Sequence, residues 1–389
     1  MKIRKNYLVF LLIAMLSFSL VIGGCAKKST DSPAVSTEKV VKIGVQAPMT
    51  GDIATFGKST KNAFILALEE ANYKAGDFKI EYKIEDDKND PTESVNVATK
   101  LANQEKVAAV IGSCGSKATI PASEVYNAAK VVQISGTATN PKVTVDNGKR
   151  KEYVFRACFI DPFQGKVGAK FALDNLKAKK AAVMFDQGND YTKGLAEQFK
   201  LNFEAGGGQV VAYEAYAQAD VDFSAVLTKI AKANIDVLYL PDYYQKASLI
   251  GKQARDKGIK ANFLGGDGWD SSDLDYATMA GGYFTNHYSA QDPRPEVQKF
   301  VANYKAKYGE VPDALATLAY DATNLLINAI KTANSNDPTK IKEALAATKD
   351  FPTVSGKITF DQDGNPVKAA TILQVKADKT YSFVTSVNP

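Results

Sequence analysis

The residues best placed to do chemistry fall in short segments that follow apolar runs. In the first half of the chain these are Pro48-Met49-Thr50-Gly51 with Phe56, Gly112-Ser113-Cys114-Gly115-Ser116, and Ser135-Gly136-Thr137-Ala138-Thr139-Asn140-Pro141. In the second half they are Asp186 with Tyr191 nearby, Asp242-Tyr243-Tyr244, and Gly265-Gly266-Asp267-Gly268-Trp269. The two sets differ in charge. The first offers hydroxyls and, at Ser116, a helix start where free N–H groups and the helix dipole favour an anion. The second offers a carboxylate, Asp267, and aromatic rings. A small ligand with a carboxylate at one end and an ammonium beside it satisfies both, which describes an α-amino acid. Taken singly, Ser116 reads equally well as a plain N-cap and Asp267 as a turn residue between glycines. Their joint placement favours a site.

Enzymatic machinery is hard to assemble from what remains. His287 is the only histidine, so a Ser-His-Asp or Cys-His arrangement has no independent support and a multi-histidine metal site is impossible. It lies in an expected strand, Tyr283–Ser289, and reads as structural. No G-x-S-x-G elbow, Walker loop or G-x-G-x-x-G fingerprint occurs, and nothing places two carboxylates together for a hydrolase. Asp361-Gln362-Asp363-Gly364-Asn365 resembles the start of a calcium loop but lacks the distal Glu, and a turn between Thr359–Phe360 and Val367–Ala370 explains it. We expect no metal and no cofactor.

The elements that must position these segments alternate regularly. Strands are expected at Val40–Pro48, Phe78–Glu85, Val107–Ile111 and Val131–Ile134, with helices at Lys58–Ala71, Thr92–Gln104 and Ser116–Ala129. The pattern then restarts, with strands at Ala181–Phe185, Gln209–Tyr216, Val237–Leu240 and Phe263–Gly265 and helices at Lys193–Ala205, Phe223–Ala233 and Lys246–Lys257. Short apolar strands separated by helices make parallel βαβ units with helices on both faces. The chain is therefore α/β, with two similar doubly wound lobes. A helix pair (Pro295–Tyr308, Ala314–Thr332) and a terminal β-hairpin are shared between them. In such sheets ligands sit beyond the carboxyl ends of the strands, where the segments above lie.

The amino terminus bears on location. Lys2, Arg4 and Lys5 precede an uncharged, mostly apolar run that ends in Val21-Ile22-Gly23-Gly24-Cys25. This describes a secretory signal peptide, and its ending resembles the bacterial lipobox, which makes Cys25 the expected lipidation site. A membrane-spanning anchor is the alternative. Residues 26–38 are polar and rich in Ser and Thr, as a tether would be. The whole chain has 48 Lys+Arg and 43 Asp+Glu; without the three basic residues of the leader its formal charge falls to +2. That balance argues against a nucleic-acid partner. Cys114 and Cys158 sit in apolar contexts, where two free thiols are at least as reasonable as a disulfide.

The motifs KIGVQAPMTGDIATFG, EDDKNDPTESVNVATKL, ATIPASEVY, ISGTATNPKVT, QGKVGAKFAL, YTKGLAEQF, DFSAVLTKIAKANIDVLYL and FLGGDG, in this order and spacing, resemble those of the leucine/isoleucine/valine-binding proteins, substrate-binding subunits of branched-chain amino acid ABC transporters. The resemblance runs from about Val40 to Thr380. It implies a type I periplasmic binding protein fold: two Rossmann-like lobes joined by three crossovers near Cys158, Asn286 and Ser355. The implied layout is a signal peptide at 1–24, a lipidated tether at 25–39, an N-terminal lobe of 40–158 and 287–354, and a C-terminal lobe of 159–286 and 355–389. By the same resemblance Ser116 and Thr139 hold the ligand carboxylate. The backbone oxygen near Thr137 and Asp267 take the ammonium, and Tyr191 and Tyr243 close over the ligand. Phe56, Cys114 and Trp269 line the side-chain pocket. Asn89 and Gly115 stand where better-known members form a disulfide, and Asp267 stands for a longer Glu. The implied function is a monomeric, lipid-anchored, extracytoplasmic receptor, not an enzyme, that passes an aliphatic amino acid to permease subunits in the bacterial cell membrane. An aromatic amino acid, an amide or another small carboxylate is the alternative ligand, and ligand sensing the alternative role.

Overall fold

The computed structural model describes residues 38–389; the leader, Cys25 and nearly all of the tether lie outside them. Two sheets organise the described chain. The first holds β1 (Lys39–Ala47), β2 (Lys74–Ala75), β3 (Phe78–Asp86), β4 (Ala109–Gly112), β5 (Val132–Ser135) and, after a small ribbon of β6 (Val145–Asp146) and β7 (Lys149–Arg150), β8 (Val154–Arg156). The second holds β9 (Lys180–Asp186), β10 (Gln209–Tyr216), β11 (Val237–Leu240), β12 (Asn262–Gly265) and β13 (Tyr283–Asn286). A second ribbon, β14 (Phe351–Thr353) with β15 (Gly356–Ile358), precedes β16 (Ala370–Val375) and β17 (Tyr381–Val387), which complete that sheet.

Their orders are β2-β3-β1-β4-β5-β8 and β10-β9-β11-β12-β13-β16-β17. All pairs from β3 through β8 and from β10 through β13 are parallel, and β16 and β17 are antiparallel additions. Each sheet therefore changes winding direction once, between β1 and β4 in the first and between β9 and β11 in the second. These are the two switch points at which such sheets open a crevice. Gly112 closes the first one tightly. Its φ is +124°, and a Cβ there would lie 1.9 Å from the Gln46 carbonyl oxygen.

Helices α1 (Ala54–Glu70), α2 (Pro91–Thr99) and α3 (Ser116–Ala128) connect the first sheet; α4 (Asp161–Asp174), α5 (Asp190–Ala205), α6 (Ser224–Lys232), α7 (Tyr244–Asp256) and the short α8 (Tyr276–Met279) connect the second. Two starts fall three or four residues earlier than the periodicity suggests. α1 begins at Ala54 and α5 at Asp190, where Asn189 accepts from the Tyr191 N–H at 3.1 Å. Phe56 and Tyr191 thereby sit in first helical turns beside the crevice. α4 has no strong apolar stripe, and its glycines hide it from a periodicity reading. Gly165 serves close packing: a Cβ there would stand 2.5 Å from the Gln198 Cβ of α5.

After β13 the chain returns to the first sheet as α9 (Pro295–Tyr308), α10 (Ala314–Ala333) and α11 (Pro338–Ala346). Leu318, Leu325, Leu326 and Ile330 of α10 join Val41, Ile43, Phe64 and Phe155 in the first core. Ile358 and Phe360 belong to that core too, whereas Ala370 and Ile372 belong to the core of the second sheet. The final passage between sheets therefore lies after Phe360. The expected turn at Asp361–Asn365 is present, with Asp361 Oδ1 accepting from the Asp363 and Asn365 N–H groups. Its flanks meet only in a Phe360–Pro366 bridge; the terminal hairpin proper is β16–β17, turning at Lys379 (φ +64°).

Candidate functional site

The two switch points face each other. Between them lies a narrow cavity lined from both sheets. Phe56, Cys114, Ser116, Thr137 and Leu315 come from the side of the first sheet; Tyr191, Tyr243, Asp267 and Gly268 come from the second. Each of these except Leu315 follows a strand at its carboxyl end or opens the next helix.

The first side is built for an anion. Gly115, not Ser116, is the N-cap of α3 and makes no side-chain cap. Ser116 is thus the first helical residue, and its hydroxyl accepts instead from the Asn140 N–H at 3.3 Å. In the first turn of α3 the Ala118 N–H already donates to the Gly115 carbonyl at 3.2 Å, which leaves those of Ser116 and Lys117 without an intrahelical partner. Thr137 donates its hydroxyl to the Cys114 carbonyl at 3.0 Å.

The second side carries one negative charge, held by neutral donors. Asp267 opens a single 3₁₀ turn, Asp267–Trp269, and is buried. Its Oδ1 accepts from Gln164 Nε2 at 2.8 Å and from the Tyr191 hydroxyl at 2.9 Å; its Oδ2 lies 3.0 Å from His287 Nε2. Two other carboxyls are buried close enough to feel its charge, Asp161 and Asp270. Burial first, and then the nearby Asp267 charge, pushes Asp161 up to about 8, so it is protonated at neutral pH. Burial also holds His287 below its usual range, against the pull of Asp267.

The walls are aromatic and apolar. Tyr243 stacks on Tyr191 at 5.2 Å and meets Phe56 edge-on at 5.8 Å. Its buried hydroxyl has no hydrogen-bond partner, and neither does Asn89 Oδ1. Both converge on Gly115, where a Cβ would lie 2.2 Å from Asn89 Oδ1 and 2.9 Å from the Tyr243 oxygen. Asn89 and Gly115 are thus neighbours. Cys114 and Cys158 are free thiols, and burial raises each to about 12, so neither is reactive at neutral pH.

Seven of the nine residues singled out from sequence line the cavity. Thr139 does not: its buried hydroxyl lacks a partner, close enough to Asp161 to temper that carboxyl but not in hydrogen-bonding geometry. Trp269 does not either. Its indole points into the core of the second lobe, packs near Phe284 and donates to the Leu240 carbonyl at 3.0 Å. Gly265 makes the room, since a Cβ there would sit 2.2 Å from the indole. Leu315, Gln164 and His287 were missed as site residues. Leu315 sits in an apolar helical stripe that reads as core, and a lone histidine in a strand reads as structural.

A larger opening between the lobes is lined by Asp270, Asp313, Tyr276, Tyr288, Tyr304 and Tyr381 among others. It also abuts a helix start, that of α10, but Asp270 Oδ2 accepts from the Ala314 N–H at 2.8 Å and Asp313 Oδ1 from the Ala316 N–H at 2.7 Å. With those donors occupied, this helix start is not open to an anion as that of α3 is, and the cations on the lining are Lys58 and Lys379. The smaller cavity is the candidate site.

The chain's resemblance to known proteins agrees with this geometry. Residues 40–380 match the periplasmic binding protein family. "Leu/Ile/Val-binding protein homolog 1" of Brucella suis biovar 1 (strain 1330) is 33% identical over 353 residues, which is 88% of this chain and 93% of the relative. A leucine-binding protein of Thermotoga maritima MSB8 superposes with a TM-score of 0.85 at 37% identity, covering 90% of this chain and 99% of that one. The branched-chain amino acid transporter substrate-binding protein of Streptococcus pneumoniae, solved with isoleucine, gives a TM-score of 0.83 at 34% identity, over 90% and 100%.

Proposed function

Since the chain belongs to the Leu/Ile/Val-binding protein family of periplasmic binding proteins, we propose that it captures an aliphatic, branched-chain amino acid between its lobes and hands it to an ABC transporter permease. The observation that carries this reading is the polarity of the cavity. An open helix start with Ser116 stands at one side and a buried carboxylate in neutral surroundings at the other, with Phe56, Cys114 and Leu315 as apolar walls. In this reading the carboxylate rests on the first turn of α3 and the ammonium on Asp267. Thr139 supports the loop from behind. Micromolar binding requires about −8 kcal/mol. A desolvated charge pair and a buried aliphatic side chain, the latter worth ~1.5–3 kcal/mol, can supply it.

The lobes close about passages near Cys158, Asn286 and the stretch after Phe360, later than the expected Ser355. Bonds across the cleft, such as Tyr244 hydroxyl to Asp52 carbonyl at 3.1 Å and Asn140 Nδ2 to Asp190 carbonyl at 2.8 Å, support closure over the ligand. We read the protein as an extracytoplasmic monomer, lipid-anchored at Cys25. Among the described residues no helix is long and apolar enough to cross a membrane. We read it as a receptor and not an enzyme, because the Ser116 hydroxyl has no base bonded to it and the lone imidazole is engaged with Asp267. An aromatic ligand is disfavoured, since Trp269, one of the two rings that could stack on it, is in the core. Calorimetry of the full-length protein against all twenty amino acids tests the assignment: heat is expected from Leu, Ile or Val, and heat from none of them would overturn it.

A further inference from the structure

We propose that His287 is the positioning residue that sets how firmly the site holds an ammonium. As a neutral imidazole it orients Asp267 without cancelling its charge, and as an imidazolium it competes with the ligand for that carboxylate. The inference rests on the amino-acid reading above and adds a regulation to it. His287 follows β13 where the chain passes between sheets, and its Nε2 lies 3.0 Å from Asp267 Oδ2. Phe159, from the first passage, stacks on the ring at 3.8 Å and 25° and fixes its plane. Gln164 is likewise fixed, its Nε2 shared between Asp267 Oδ1 and the Thr285 hydroxyl at 2.8 Å each. The carboxylate is thus aimed by three neutral donors from α4, α5 and the end of β13. None of them brings a positive charge.

The other ring nitrogen explains why the imidazole stays neutral. His287 Nδ1 is buried and has no partner. With the proton on Nε2, Nδ1 is only an idle acceptor; a second proton would leave a bare N–H in the same place, a costly arrangement. The charged groups acting on the ring are Asp267 and Lys368, whose Nζ donates to the Ala157 carbonyl at 3.0 Å. Asp161, Asp270, Cys158, Tyr191, Tyr239 and Tyr243 are the remaining titratable groups that feel Asp267, and of these Asp270, at about 6, also titrates in the acid range, which is why the test compares wild type with a His287 variant. Burial outweighs Asp267 and keeps the ring below its ordinary titration range. A ligand ammonium beside Asp267 acts in the same direction, so ligand and proton exclude each other, and by linkage each weakens the other.

The test compares L-leucine with 4-methylpentanoate, which has the same side chain and carboxylate but no ammonium, on the full-length protein. Between about pH 7.5 and about pH 5, wild-type affinity for leucine should fall severalfold as the ring begins to take up a competing proton, whereas that for 4-methylpentanoate should change little. His287→Gln keeps an N–H within reach of Asp267 but cannot titrate, and should bring the leucine pH ratio well below that of wild type. A second measurement needs no variant. Calorimetry at about pH 5.5 in buffers of different ionisation enthalpy should show proton release when leucine binds and none when 4-methylpentanoate binds. Equal pH ratios in wild type and His287→Gln, or no proton release with leucine, would overturn the inference while leaving the amino-acid reading intact. Absence of any amino-acid binding at neutral pH would instead remove the reading on which it stands.

Discussion

Replacing Asp267 by Asn removes one charge and almost no volume. Three donors meet this carboxylate: Gln164 Nε2, the Tyr191 hydroxyl and His287 Nε2. The Asn amide keeps one acceptor oxygen and turns its Nδ2 toward donors on the other side. The Tyr191 oxygen can relieve part of that conflict, because it already accepts from the Gly268 N–H at 3.1 Å and its hydroxyl can rotate. The stability cost should therefore stay near ~1–3 kcal/mol, the worth of one buried polar group left unmatched. Binding should suffer more. Without Asp267 the ligand ammonium is buried with no counter-charge, and breaking such a pair costs about 2–5 kcal/mol, which is roughly thirtyfold to several thousandfold in Kd. The neutral-ended analogue 4-methylpentanoate should bind the variant as well as wild type or better. The sole tryptophan, Trp269, lies two residues from the substitution, so its fluorescence and calorimetry can both follow the titration, with a thermal melt to show that the variant is folded. A folded Asp267→Asn protein that binds leucine like wild type would refute the assignment of the ammonium to Asp267.

Ser116→Ala should weaken leucine binding by about 1.5–3 kcal/mol, the range for a hydrogen bond to a charged group. It should lower stability by no more than about 1 kcal/mol, because Ser116 does not cap α3; a normal affinity would misplace the carboxylate. Stability should fall as pH rises. Asp161 has its folded pKa raised from 3.8 to about 8, so the stability tied to its neutral form is full below its unfolded value and lost as pH climbs toward the folded one. Asp242 and Asp270, each at about 6, and Asp313 at about 7 act in the same direction. Denaturant unfolding at pH 5 and pH 8 should show Asp161→Asn removing on the order of 4 kcal/mol of the wild-type difference; an unchanged difference would contradict the burial of a neutral Asp161. Trp269→Leu should cost about 3 kcal/mol or more of stability, as large core truncations do, without altering which amino acids bind. Altered ligand preference in a protein of normal Tm would return Trp269 to the pocket wall.

How far the site could be read from sequence followed the local chemistry of each residue. Strands were legible because parallel strands buried on both faces appear as apolar runs, and with them the segments at their carboxyl ends. Phe56, Cys114, Ser116, Thr137, Tyr191, Tyr243 and Asp267 converge for that reason. Ser116 was open between cap and ligand because capping depends on whether the helix begins at residue 115 or 116, a shift that periodicity cannot resolve. Trp269 was placed in the pocket beside Asp267, but within a single 3₁₀ turn successive side chains point apart; the glycine at 265, without a Cβ, was the signal that an indole lay over it. α4 is hidden from a periodicity reading because Gly165 and Gly168 lower helix propensity, although Gly165 is what allows its approach to α5. His287 and Gln164 lie 20 and 103 residues from Asp267. Only the tertiary fold brings them to it.

The most direct test of the central claim is a structure of the protein determined with its bound amino acid. The account predicts the ammonium within hydrogen-bonding distance of Asp267, the carboxylate on the first turn of α3 at Ser116, and the side chain against Phe56, Cys114 and Leu315. A ligand seated instead beside Asp270 and Asp313, or reversed so that its carboxylate faces Asp267, would contradict it.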